Sequence, residues 1–259
     1  MSGTKAKTSL FAGLLTAYAG LMLANPVFPS LARELGLSEV QAGIVISAAA
    51  LVFAVGSPLW GWLCDRAGRK PVFIAGLFGI GLSYILFAGV SYLGLIGVLT
   101  GTALFAALLA ARVVIGAMIG GVPVSAQAYM ADITETSYRS AGMALSGAAN
   151  GLGTLLGPAL AAVVVTFGLL VPFFAGAAIA LAAALALIFI MPRSPRQQTM
   201  ETPPKIMPWD GRIWPFLLFA FATVTIIVLL RITLGVYRIG RIGLTPVNAA
   251  PWGTFRIVA

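Results

Sequence analysis

Charged and polar residues fall into a few short clusters along this chain. Between them run apolar stretches long enough to cross the ~30 Å hydrocarbon core of a bilayer at about 1.5 Å per helical residue. Seven such stretches are read: about Leu10 to Val27, Val40 to Leu63, Val72 to Val90, Ala103 to Tyr129, Ser140 to Val165, Pro172 to Met191 and Ile213 to Leu230. Each is expected to be a helix. Pro26 and Pro29 bend or end the first, and Gly56 with Pro58 loosens the second. Residues 71–111 hold no charge over 41 positions. As one helix they would be about 60 Å long, twice the core, so a turn is expected between Ser91 and Thr102. Arg112 then falls inside the fourth span, and Asp132, Glu135 and Arg139 form the next loop.

Composition agrees with the pattern. Hydrophobic residues make up 60% of the chain, charged residues 9%, and the mean hydropathy is +1.02. An ordinary soluble domain carries about 25% charged residues, so this is expected to be an all-α, multi-pass membrane protein. The net charge of +9 would suggest nucleic acid in a soluble chain. Here the basic residues lie mainly in short loops, where they set orientation, and no nucleic-acid partner is expected. Ten of them (Lys5, Lys7, Arg66, Arg69, Lys70, Arg139, Arg193, Arg196, Lys205 and Arg212) fall on one side, against Arg33 on the other before the seventh span. The N-terminus is therefore expected in the cytoplasm, with the first span an uncleaved helix rather than a signal peptide. One cysteine, Cys64, leaves no internal disulfide, and the absence of histidine leaves neither a zinc nor a haem site, so no cofactor is expected.

The organisation expected is a six-helix unit over residues 1–191, a proline-rich cytoplasmic linker over 192–212, a seventh helix over 213–234 and a basic tail over 235–259. The tail's Arg238, Arg241 and Arg256 would lie outside after seven spans, against the charge rule.

The most informative stretch is the charged turn in Gly61 to Val72, GWLCDRAGRKPV. Asp65, Arg66, Arg69 and Lys70 must be wet, because charges enter hydrocarbon only with partners. Gly61 permits close helix approach, Gly68 a backbone turn with positive φ, and Pro71 the first turn of a new helix. Asp65 can meet Arg69, and can cap or face a helix N-terminus. The order G-x-L-x-D-R-x-G-R-K resembles the signature loop between the second and third helices of major facilitator superfamily transporters, over roughly Ser9 to Leu234. The resemblance implies two six-helix halves around a central site, alternating access and small-molecule transport of the drug-efflux-like branch.

By the same resemblance, Gly61, Asp65, Arg66, Gly68, Arg69, Lys70 and Asp132 would form a gating latch, and Arg112 with Gly116 and Gly120 would match the fourth-span motif. Arg112, Gly116 and Asn25 are then candidates for substrate or ion coupling. Gly153, Gly157 and Pro158 are similar to part of the fifth-span antiporter motif, although Ala144 and Ala161 stand where glycine is expected. From spacing alone, Gly153 and Gly157 are a small-residue packing pair. Tyr18, Gln127, Tyr129 and Asn150 are candidates to line a cavity. Proton coupling is left open, since no Asp or Glu lies deep in the first six spans. A membrane enzyme would need a His, Asp or Glu cluster at the bilayer surface, and none appears, so catalysis is not expected.

The inherited function expected is secondary active efflux across the inner membrane. The alternative is a truncated, non-transporting remnant or an interaction subunit. A missing second half, or another copy, would be needed to close a pathway, and the chain alone is expected to carry no flux.

Overall fold

The computed structural model describes residues 2–192, together with Trp214, Pro215, Leu218, Phe219, Ala222, Thr223 and Ile226, which are helical. The expected linker beyond Pro192, most of the seventh helix and the basic tail lie outside the described residues. The chain divides into two compact units, 1–196 and 197–259.

Eight helices follow one another: α1 Ser2–Ala24, α2 Phe28–Glu34, α3 Glu39–Ala67, α4 Arg69–Leu95, α5 Gly101–Ile119, α6 Gly121–Ile133, α7 Arg139–Val164 and α8 Val171–Ile190. They form six stretches long and apolar enough to cross a membrane, with α1–α2 and α5–α6 each counting as one. These are the first six expected spans, and no strand occurs among the described residues.

The boundaries moved for identifiable reasons. The first span does not end at its prolines but resumes as α2, with Pro29 in its first turn, where a missing N–H costs nothing. Arg33 and Glu34 therefore close α2, while Glu39 opens α3 behind a reciprocal Ser38–Gln41 cap. Ser91 is not in a turn: it is buried in α4, and its hydroxyl donates to the Phe87 carbonyl at 2.8 Å. The reversal falls within the expected stretch, at 96–100, with Gly97 at φ 75°. Asp132 is helical, within α6, rather than in the following loop.

The centre of the bundle is α1 and α4. The most apolar windows of these two spans are each 56% buried, against 11% for α3 and 22% for α7. α4 packs on α5, α6 and α8, and α1 on α7 and α8. Aromatic rings fill the junction: Phe87 stacks on Phe173 at 5.3 Å and lies 5.7 Å from Phe28. Tyr84, fully enclosed there, donates to the Leu21 carbonyl at 2.9 Å, which satisfies a hydroxyl that no water can reach.

The ends of the bundle are sorted. A Cβ on Gly13 would meet Leu187 at 2.7 Å and Phe73 at 3.1 Å, while one on Gly20 would meet the Gly176 carbonyl, so the first half of α1 runs toward the start of α4 and the end of α8. Gly94, at the opposite end of α4, lies against Leu35 and Leu104. The N-terminus and the charged turn therefore share one face of the bundle.

Candidate functional site

The turn between α3 and α4 is a single residue. α3 continues through Asp65 and Arg66 to Ala67, and Gly68, at φ 92°, both ends it and begins α4. Only glycine takes that backbone geometry readily. Because α4 has no side-chain cap, Asp65 does not serve as one. It faces Arg69, whose Nη1 donates to Asp65 Oδ1 at 2.8 Å and to the Cys64 carbonyl at 2.7 Å. Arg69 Nε donates to Asp132 Oδ2 at 3.1 Å. One guanidinium thus joins α3, α4 and α6. Lys70 Nζ donates to the Ile188 carbonyl at 2.7 Å, placing a cation at the carbonyl-rich end of α8. Arg66 lies 4.1 Å over the Trp62 ring. Gly61 differs from expectation: a Cβ there would meet nothing within 4 Å among the described residues, so no helix approaches it in this unit.

Arg112 is buried on α5, where its Nη2 donates to Asn25 Oδ1 at 3.1 Å and Phe28 and Phe87 flank it at 5.8 and 5.9 Å. Among the described residues its Nε has no hydrogen-bond partner. A guanidinium held by one neutral amide and two ring faces is costly inside a membrane. Asn25 itself sits in the exposed turn between α1 and α2, within the first span. A Cβ on Gly116 would strike the Ala49 backbone, with its Cα at 2.7 Å, so α5 and α3 touch main chain to main chain. Gly153 and Gly157 do the same for α7 on α1, at 2.8 Å from the carbonyls of Leu15 and Ala19. Pro158 lies inside α7 beside that contact.

A cleft of about 160 Å³ opens between α1, α6 and α7, lined by Tyr18, Gln127, Ser146 and Asn150 with Leu14 and Met143 among its apolar walls. Tyr18, Gln127 and Asn150 are three of the four cavity candidates. The fourth, Tyr129, is buried elsewhere and donates to the Pro192 carbonyl at 3.0 Å. Arg112 does not line this cleft. The lining carries hydrogen-bonding groups and no charge, so it can select by shape, aromatic contact and hydrogen bonding.

Sequence reasoning missed the long-range polar contacts of Tyr84, Tyr129, Lys70 and Trp60. The signal available was that aromatic residues with a polar tip, set among apolar spans, need a partner.

The sequence profile of the Major Facilitator Superfamily matches residues 10–259. The chain is 32% identical to multidrug resistance protein 2 of Bacillus subtilis over 71% of its own length and 43% of that protein's. It is 32% identical to the class C tetracycline resistance protein of Escherichia coli over 61% of its length and 37% of the relative's. Against the quinolone resistance protein NorA of Staphylococcus aureus the figures are 27%, 77% and 48%. The chain thus spans less than half the length of these curated relatives. With the charged turn, the six spans and the profile match in agreement, the chain belongs to the Major Facilitator Superfamily of membrane transporters.

Proposed function

We propose that this chain carries the six-helix half, with a seventh membrane helix, of a secondary carrier that expels drug-like or metabolite molecules by alternating access, in the cytoplasmic membrane with its N-terminus in the cytosol. The observation that carries the reading is the Arg69 bridge to Asp65 and Asp132. Charge-assisted bonds of this kind hold one packing of rigid helices and break when the bundle rocks to another. The neutral cleft supplies part of the substrate surface, and Arg112 supplies a charge that responds to substrate or to the neighbouring Asn25. The printed names of the relatives, multidrug, tetracycline and quinolone resistance, favour efflux of drug-like molecules. The acids of the described spans, Glu34, Glu39, Asp65 and Asp132, all sit near helix ends, so coupling to protons requires a membrane carboxylate from elsewhere in the assembly.

The test is flux in liposomes, with ethidium and tetracycline as probes, for the chain alone and with a second six-helix unit of a related carrier. No flux is expected alone. Flux is expected in the pair, and its loss with Asp65→Asn and with Arg112→Ala. Flux untouched by either substitution, or absent with every partner unit, would overturn the reading.

The sparse burial of α3 and α7 favours one other reading, an interaction subunit that pairs through these faces without transporting. Cys64 is 1% exposed and unsuited to crosslinking. Val55→Cys on the open face of α3 is the suitable probe, and a crosslinked pair without flux would favour this second reading.

A further inference from the structure

The fourth span is interrupted at its middle, and a side chain from another helix occupies the interruption. α5 ends at Ile119 and α6 begins at Gly121, with Gly120 between them. Pro123 has no N–H to return to the carbonyl of Ile119, and the Ser125 hydroxyl donates to the carbonyls of Gly121 and, at 3.2 Å, Val122. Into this segment reaches Trp60 of α3. Its Nε1 donates to the Ala117 carbonyl at 2.7 Å. An unbroken helix would give that carbonyl to the N–H of Gly121. The indole also fills the space beside both glycines: a Cβ on Gly120 would lie 2.6 Å from Trp60 Cδ1, and one on Gly121 3.1 Å from Cζ3. On its other side Gly121 touches Gly76 of α4, whose Cα is 2.9 Å from the same added Cβ. The glycines are there because backbone and indole leave no room for a side chain.

We infer that Trp60 is a positioning residue for transport: its indole N–H pins the bend of the fourth span and holds α5 and α6 at a fixed angle. Arg112 stands on α5 and Gln127 and Asp132 on α6, so this angle sets the membrane charge relative to the cleft and the Arg69 bridge. The functional consequence rests on the transport reading, but the pin does not, and it is measured without flux.

The test is amide hydrogen exchange on the full chain in lipid nanodiscs. Trp60→Phe keeps a ring and removes the donor, and 3-benzothienylalanine at position 60 keeps the bicyclic shape and removes only the donor. In both, exchange at the amides of Gly121, Val122 and Val124 is expected to rise roughly fivefold to tenfold, the range one buried hydrogen bond supplies. Amides of α4 between Leu77 and Phe87 should not change. Unchanged or slower exchange at the bend in the benzothienylalanine protein would overturn the inference. So would acceleration spread evenly through α4, which would make Trp60 a packing residue and nothing more.

Discussion

The Arg69 guanidinium stands 3.1 Å from the Asp132 carboxylate, a pairing made between residues 63 positions apart in the chain. Asp132 is 9% exposed and Asp65, the other acid on the same guanidinium, 74%. The two carboxylates should therefore contribute unequally. Asp132→Asn leaves a largely enclosed guanidinium short of its counter-charge and is expected to cost about 3 kcal/mol. Asp65→Asn removes a solvated partner and is expected to cost less than about 1 kcal/mol. Thermal unfolding of the two variants in detergent measures the order. Equal losses would show that both acids are equally screened.

The glycines of α7 should divide by face. Gly157→Leu drives a side chain into Met22 Cβ at 2.5 Å and the Ala19 carbonyl, and is expected to abolish a monodisperse, folded chain on size exclusion. Gly147 borders the cleft, and a Cβ there meets nothing within 4 Å. Gly147→Leu should shift stability by no more than about 0.5 kcal/mol while narrowing the cleft. In the paired flux assay it should exclude the bulkier probe first.

Arg112 offers a separation of stability from transport. Arg112→Leu removes a buried charge whose Nε is unpartnered and is expected to leave unfolding unchanged or raise it by about 1 kcal/mol. Flux in the paired assay should fall to background. Arg112→Lys keeps the charge but not the planar fork, so partial flux is expected. A large loss of stability in Arg112→Leu would mean that the single bond to Asn25 and the Phe28 and Phe87 contacts outweigh the cost of burying the charge.

The side of the membrane on which the charged turn lies can be read with one thiol. In a Cys64→Ala background, Arg66→Cys is expected to resist an impermeant maleimide added to intact cells and to react after permeabilisation. Val98→Cys, exposed on the turn at the other end of α4, should react without it. The reverse pattern would invert the proposed orientation.

What the sequence displays plainly are features written in contiguous residues. The apolar spans, the positive φ of Gly68 and the proximity of Asp65 to Arg69 each depend on spacing within a turn or two of helix. The bend of the fourth span does not announce itself in this way. Gly120, Gly121 and Pro123 read singly as tolerable within an apolar run, and only the arrival of Trp60 from 57 residues away shows why the helix stays open there. Asn25 likewise carries no sign in the sequence that it meets Arg112, 87 residues on. Gly61 errs the other way, since glycine allows close approach but nothing in its neighbours says whether a helix comes.

The one-residue link at Gly68 has a mechanical consequence. Two long rods joined by a single backbone hinge cannot slide along each other. They can only swivel, and a swivel at that point grows with distance along the 27 residues of α4 toward Gly94.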